Sequence, residues 1–128
     1  MPNERKKILL VEDDNTLRNI LSDNLSRSYE LVQADDGEKG LQFAQDFKPD
    51  IILLDILLPK LSGLDMLEKL RQHPDPEIAN VKVIIFSNFS SNEYILKAKV
   101  LNVSEYLVKS NIDMVGIVAK IEQVLNSK

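Results

Sequence analysis

The chain has 128 residues, 44% of them hydrophobic and 28% charged, which suffices for one domain with a buried core and excludes a mainly disordered chain. It has no cysteine, so disulfides, thiolate zinc sites and a cysteine nucleophile are excluded. The formal net charge is −4 without a strongly basic block, and we therefore expect no direct binding to nucleic acid.

Short apolar segments recur along the chain and predict the strands of a sheet. Charged or turn residues bound each segment, and runs this short and apolar are typical of strands that are buried on both faces. In chain order they are residues 8–11, 30–34, 51–54, 83–86 and 105–108. None approaches the ~20 residues of a transmembrane helix, so we expect no membrane insertion and, without cysteine, a cytoplasmic protein.

Apolar residues spaced three and four apart follow each of these strands and predict five helices. The predicted caps of the first turns are Asp14 or Asn15, Asp36 or Gly37, Ser62, Ser91, and Ser110 or Asn111. Pro74 and Pro76 are predicted to end the third helix. Five strand–helix repeats predict a single α/β domain over residues 1–128, in which helices cover both faces of a doubly wound, five-stranded parallel sheet.

Polar side chains stand where these predicted strands end. They are Glu12, Asp13 and Asp14 at the first strand, Asp55 at the third, Ser87 at the fourth and Lys109 at the fifth. In an open parallel sheet, ligands bind beyond the carboxyl ends of the strands. We therefore expect these side chains to share one site.

Each of these side chains also has an ordinary structural explanation. An acid after a strand often only caps the next helix, Ser87 could belong to a turn, and Lys109 could lie on the surface. Asp55 resists such an explanation, because apolar residues flank it on both sides and a carboxylate in that setting needs a partner or a metal. The joint occurrence of all these residues at strand ends favours a functional site.

The carboxylates at adjacent strand ends would repel one another, by ~1 kcal/mol at 4 Å in water and ~4 kcal/mol at an effective dielectric of 20. A divalent cation removes that conflict, and Mg²⁺ suits a half-open site of oxygen ligands because it keeps several waters. Such a cation would also prepare Asp55 to accept a phosphoryl group, and Lys109 would add a positive charge to the same oxygens.

Over essentially its whole length, the sequence resembles the receiver domains of two-component response regulators, in particular the stand-alone, chemotaxis-type regulators. The resemblance rests on residues at the family's characteristic positions. Glu12 and Asp13 fall on its acidic pair, Asp55 on its phosphoacceptor with Pro59 and Gly63 after it, Ser87 and Tyr106 on its switch pair, and Lys109 on its lysine. The resemblance implies the flavodoxin-like strand order 2-1-3-4-5.

The same resemblance implies a phosphoacceptor switch rather than an enzyme. A histidine kinase or a histidine phosphotransfer protein would phosphorylate Asp55, while Asp13, Asp55 and the backbone carbonyl of Leu57 hold Mg²⁺. Glu12 would act on the metal through water.

Phosphorylation would then change an output surface made of the fourth helix, the fifth strand and the fifth helix, through Ser87 and Tyr106. The expected partner of that surface is a downstream protein effector. A phosphorylation-dependent homodimer is a further option.

Several positions depart from the family pattern. Ser110 follows Lys109 where the family usually has a proline in a cis peptide, and Asn88 stands where a small residue is usual. Leu57 and Phe89 occupy two positions that line the family's site, and both are apolar. Because neither side chain can hold a water by a hydrogen bond, we expect a long-lived phosphorylated form.

Three other functions are compatible with an acidic site on such a sheet. An aspartate-nucleophile phosphatase would need a second acid at position 57, which is Leu57 here. A flavin or nucleotide carrier would need a phosphate-binding loop after the first strand, where three acids stand instead. A degenerate receiver that acts only as a protein-interaction module is disfavoured because Asp13, Asp55, Ser87 and Lys109 are all present.

Overall fold

In the computed structural model, which describes residues 5–127, five parallel strands form one sheet in the order β2-β1-β3-β4-β5. The strands are β1 (Lys7–Val11), β2 (Glu30–Ala34), β3 (Ile51–Leu54), β4 (Lys82–Ser87) and β5 (Glu105–Val108). The predicted parallel sheet and its flavodoxin-like order are therefore confirmed. The two ends of the predicted domain, residues 1–4 and 128, lie outside the described residues.

Six α-helices occur within residues 5–127, one more than the five predicted. They are α1 (Asn15–Leu25), α2 (Gly37–Phe47), α3 (Gly63–Arg71), α4 (Pro76–Ala79), α5 (Asn92–Val100) and α6 (Met114–Asn126). The additional helix is the single turn α4. The predicted fourth and fifth helices thus correspond to α5 and α6.

The prediction that Pro74 and Pro76 end the third helix was wrong for Pro76 and agrees with the structure for Pro74, which lies just beyond the last turn of α3. Helix α3 already ends at Arg71, and Pro76 is the first residue of α4. Proline suits that position because its fixed φ is helical and its missing N–H would have no helical partner there. Asp75 caps α4 by accepting a hydrogen bond of 3.0 Å from the Glu77 N–H.

Side-chain caps begin the longer helices at the predicted places, with one exception. Asp14, Asp36, Ser62 and Ser91 each accept a hydrogen bond from a backbone N–H in the first turn of the helix that follows. The predicted cap of the last helix at Ser110 or Asn111 was wrong, because residues Lys109–Asn111 form a separate 3₁₀ turn. Asp113 caps α6 instead, accepting a 2.9 Å bond from the Gly116 N–H.

The sheet is buried on both faces, as the apolar segments predicted. Successive strand side chains point to opposite faces, so Leu9 and Ile52 pack in one core while Ile8 and Ile51 pack in the other. Helices α2, α3, α4 and α5 cover the first core, and α1 and α6 cover the second. Among the described helices, none combines the length and the hydrophobicity needed to cross a membrane.

The register of the sheet brings the strand ends to one edge. Val11 pairs with Leu54, and the last paired residues of β4 and β5 are Ser87 and Val108. The residues that follow these strand ends therefore face one another. All peptide bonds in the described part of the chain are trans, including the one between Lys109 and Ser110.

Gly63, the first residue of α3, closes the loop between β3 and α3, which begins at Asp55. Its N–H donates a 2.8 Å hydrogen bond to the Ile56 carbonyl oxygen. A Cβ atom at position 63 would lie 2.0 Å from the carbonyl oxygen of Asp55, so only glycine permits this close approach of backbone to backbone. The start of α3 and the segment after β3 are thereby held together.

We predict that Gly63→Ala destabilises the fold by about 1–3 kcal/mol, because the added methyl group must displace the backbone at Asp55. Gly116→Ala is the matched control within α6, where the nearest neighbour is the movable side chain of Ile112 and alanine favours the helix by up to ~1 kcal/mol. Urea denaturation measures both changes. Equal free energies of unfolding for the two variants would contradict this role of Gly63.

Candidate functional site

Three carboxylates meet at the carboxyl edge of the sheet. Glu12 and Asp13 directly follow β1, and Asp55 directly follows β3. One carboxylate oxygen of each lies within 4.8 Å of the others. Glu12 and Asp55 are only 1% and 6% exposed, whereas Asp13 is exposed to solvent. Two of the three negative charges are therefore buried and need compensation.

Lys109 supplies that compensation from the end of β5. Its Nζ atom lies 2.7 Å from Glu12 Oε1 and 2.8 Å from Asp55 Oδ2. The same ammonium lies 5.7 Å from the centre of the Phe86 ring, so that its side chain crosses the end of β4. One cation thus bridges two carboxylates that come from two other strands.

Burial and pairing act in opposite directions on these groups. Burial raises the pKa of the Glu12 carboxyl above its ordinary value, although hydrogen bonds from Lys109 and from the Asp14 N–H oppose this. Burial by itself lowers the pKa of Lys109, but the hydrogen bonds to Asp55 and Glu12 outweigh it, and this pKa lies above its ordinary value. Lys109 therefore stays a cation across the physiological pH range.

Backbone groups fix the two buried carboxylates. Glu12 Oε2 accepts a 3.1 Å hydrogen bond from the Asp14 N–H, and Asp55 Oδ1 accepts one of 3.3 Å from the Leu57 N–H. Arg18 Nη1 donates to the Glu12 carbonyl oxygen at 2.9 Å. Both oxygens of Glu12 are thus already engaged. The sequence did not single out Arg18, because a basic residue on a helix carries no signal of its own.

An open cleft of about 300 Å³ leads from solvent to Asp55. Its lining includes the three carboxylates, Ser87, Asn88 and Lys109. Leu57 and Phe89 also line it, with 61% and 41% of their surfaces exposed. Two apolar side chains therefore stand at the mouth of a charged site.

Ser87 and Tyr106 both hold the loop that follows β4. The buried Ser87 Oγ accepts a 3.2 Å hydrogen bond from the Phe89 N–H, and the Tyr106 hydroxyl donates to the Phe89 carbonyl oxygen. The Phe89 ring also contacts the Tyr94 ring edge to face, with centroids 5.9 Å apart. Burial, together with the negative charge of Asp55, raises the pKa of Tyr106. The two predicted switch residues thus meet on one backbone segment.

The donor set at this edge fits a hard divalent cation. All three candidate side chains offer carboxylate oxygens, which Mg²⁺ prefers, and the cleft leaves space for the waters that it retains. Both oxygens of Glu12 and both oxygens of Asp55 already take part in contacts, so a cation at either carboxylate would share it with Lys109. Leu57, whose backbone carbonyl is the remaining predicted ligand, lines the same cleft.

Comparison with known proteins identifies the family. The sequence profile of the response regulator receiver domain matches residues 8–122. The alkaline phosphatase synthesis transcriptional regulatory protein PhoP of Bacillus subtilis (strain 168) is 47% identical over 68 residues, which cover 52% of this chain and 28% of that protein. This chain spans under half the length of the curated relatives it matches.

Solved structures show the same fold. The N-terminal domain of an uncharacterized protein from Wolinella succinogenes is similar with a TM-score of 0.84 at 36% identity, over 93% of each chain. The chemotaxis protein CheY4 of Vibrio cholerae has a TM-score of 0.84 at 23% identity, covering 94% of this chain and 98% of that chain. The second likeness concerns the fold alone.

We predict that Lys109→Met destabilises the protein by about 1–3 kcal/mol at pH 8, because it leaves buried carboxylates without their cation. Loss of the ammonium raises the pKa of Glu12 further. A pKa that is higher in the folded than in the unfolded state stabilises the fold at low pH, and this stabilisation is lost as the pH rises through the folded value. The cost should therefore be smaller at pH 5 than at pH 8.

Chemical denaturation at both pH values tests this expectation. Lys39→Met is the control, because Lys39 pairs with Asp35 on the surface at 3.0 Å and the pKa of Asp35 lies below its ordinary value, outside this pH window. The control should change stability little at either pH. An equal cost of Lys109→Met at pH 5 and pH 8 would show that carboxylate repulsion is not the reason for it.

Proposed function

This chain belongs to the response regulator receiver domain family, and on that premise we propose that it is a signalling switch that accepts a phosphoryl group on Asp55. The observation that carries the proposal is the setting of this carboxylate. Asp55 is buried at the base of an open cleft, Lys109 neutralises one of its oxygens, and the Leu57 N–H orients the other. A buried acid that faces solvent through one cleft is suited to react with a group presented from outside.

The proposed donor is a phosphohistidine on a histidine kinase or a histidine phosphotransfer protein. An Asp55 carboxylate oxygen attacks the phosphorus, a P–O bond forms, and the P–N bond breaks with its electron pair going to the histidine nitrogen. Lys109 stabilises negative charge on the phosphoryl oxygens. The chain acts on its own side chain, so we describe it as a phosphoacceptor and not as an enzyme with a separate substrate.

Asp13, Asp55 and the Leu57 carbonyl are the proposed ligands of Mg²⁺, with Glu12 contributing through water. When bound, Mg²⁺ would supply positive charge that neutralises the phosphoryl oxygens. The donor chemistry of the three carboxylates supports this assignment.

The proposed switch acts through the loop after β4. An aspartyl phosphate adds about −1.5 to −2 charge and strong acceptor oxygens. The Ser87 hydroxyl would turn from the Phe89 N–H to a phosphate oxygen, which frees the segment that Tyr106 also holds. The loop leads directly into α5, so that α5, β5 and α6 form the proposed output surface.

A downstream protein effector is the proposed partner of that surface, and a phosphorylation-dependent homodimer is a second use of it. Leu96 and Val100 of α5 and Val115 of α6 are exposed apolar side chains on these elements. Exposed apolar residues of this kind suit contact with another protein. We propose that the protein, its phosphorylation and its contact with the effector are cytoplasmic.

We predict that acetyl phosphate with Mg²⁺ labels the wild type and that Asp55→Asn abolishes the label, because an amide is not a nucleophile for phosphorus. Acid stability and loss of the label in hydroxylamine identify an acyl phosphate. Asp65→Asn, an exposed acid on α3, is the matched control and should be labelled like the wild type. Full labelling of Asp55→Asn would remove Asp55 from this role.

We also predict a long-lived phosphorylated form, because hydrolysis needs a water in line with the phosphorus and the side chains at the mouth cannot hold one. Leu57→Asn and Phe89→Glu should speed the loss of phosphate roughly 2- to 10-fold, the range of one added hydrogen bond. Leu96→Asn, an exposed leucine on α5, is the control for a polar substitution elsewhere. If wild type decays as fast as both cleft variants, shielding by Leu57 and Phe89 is wrong.

A further inference from the structure

A side-chain hydrogen bond joins the two loops on either side of the cleft. Asn88 Oδ1, after β4, accepts a 3.1 Å bond from the Ser110 N–H, after β5. The backbone pairing of these strands ends at Ser87 and Val108. The Asn88 side chain therefore continues the connection between β4 and β5 beyond the point where the sheet stops. We call this contact the Asn88–Ser110 strap.

The strap joins the two residues that directly follow Ser87 and Lys109 of the proposed site. Asn88 directly follows Ser87, and Ser110 directly follows Lys109. Because a backbone N–H can only donate, the oxygen end of the Asn88 amide must face Ser110, which fixes the rotamer of the side chain. Asn88 also lines the cleft itself, together with Lys109. A contact at this place can hold the backbone from which the Lys109 side chain extends.

Lys109 needs such support. Its ammonium makes two short contacts, at 2.7 and 2.8 Å, at the end of a flexible four-carbon stem. The 3₁₀ turn that begins at Lys109 has no side-chain cap at its start. Within the described residues, the strap is a side-chain contact to this turn, and it holds the N–H of Ser110, the second residue of the turn.

We infer that Asn88 is a positioning residue, which acts through the Ser110 N–H to hold the Lys109 ammonium against Glu12 and Asp55. For its effect on phosphorylation, the inference rests on the proposed function. Its effect on the carboxylates does not, because the contacts of Lys109 exist without any phosphoryl group.

Loss of the strap should raise the affinity for Mg²⁺ and lower the rate of phosphorylation. Lys109 and a divalent cation compete for the Asp55 carboxylate, so a less restrained Lys109 should let Mg²⁺ bind more tightly. The same change should slow phosphorylation, because Lys109 is then less well placed to stabilise the phosphoryl oxygens. A general loosening of the site would instead weaken both properties.

The test measures the Mg²⁺ dissociation constant by calorimetry and the rate of phosphorylation by acetyl phosphate. Two variants remove the acceptor oxygen, Asn88→Ala without bulk and Asn88→Leu with nearly the original bulk. Ser110→Ala is the control: it removes the Ser110 hydroxyl but keeps the backbone N–H that donates the hydrogen bond to Asn88. In the two Asn88 variants, the Mg²⁺ dissociation constant and the phosphorylation rate should each change roughly 2- to 10-fold, the range expected for one hydrogen bond.

We expect both Asn88 variants to bind Mg²⁺ more tightly and to be phosphorylated more slowly, while Ser110→Ala matches the wild type. Unchanged or weaker Mg²⁺ binding in the two Asn88 variants would overturn the inference. So would opposite results for Asn88→Ala and Asn88→Leu, since bulk and not the hydrogen bond would then be responsible. If acetyl phosphate fails to label even the wild type, the proposed function fails, and the Mg²⁺ titration still decides whether Asn88 positions Lys109.

Discussion

The compensation of two buried carboxylates by one lysine is the constraint on which the rest of the site depends. Glu12 and Asp55 come from adjacent strands and are almost fully buried, and Lys109 reaches both from β5. Without a cation, their mutual repulsion in a partly dry environment would amount to several kcal/mol. The parallel register delivers a cation to the same edge, and this cation offsets the cost of placing two buried acids side by side.

In the proposed function, this balance of charge makes the site sensitive to chemistry at Asp55. Any added anionic group changes the charge that Lys109 must neutralise, and the loop after β4 lies against the same cleft. Ser87 and Tyr106 both hold that loop at the backbone of Phe89, and the loop continues into α5. In the proposed switch, a local change in charge thereby acts on a whole helix through two hydrogen bonds.

Much of this arrangement was predictable from the sequence, because apolar runs and their polar ends encode it directly. The five strands and the residues at their ends follow from hydrophobic pattern, whereas the strand order required the resemblance to a family. The single-turn helix α4 was missed because four residues carry no periodicity, and proline there was taken as a terminator. The Asn88–Ser110 contact was missed because a hydrogen bond between two loops depends on rotamer and backbone position, which spacing does not contain. Arg71 is similar: its guanidinium donates to four carbonyl groups of other segments, yet in sequence it is an ordinary basic residue at a helix end.

The measurement that tests the central claim most directly is the position of the phosphoryl group on the wild-type chain. After reaction with acetyl phosphate and Mg²⁺, borohydride reduces an aspartyl phosphate to homoserine, and tandem mass spectrometry of the peptides locates that residue. A lysine-compensated Asp55 at the base of the cleft predicts homoserine at position 55. Homoserine at Asp13 or at any other acid, with position 55 unmodified, would contradict the assignment of Asp55 as the phosphoacceptor.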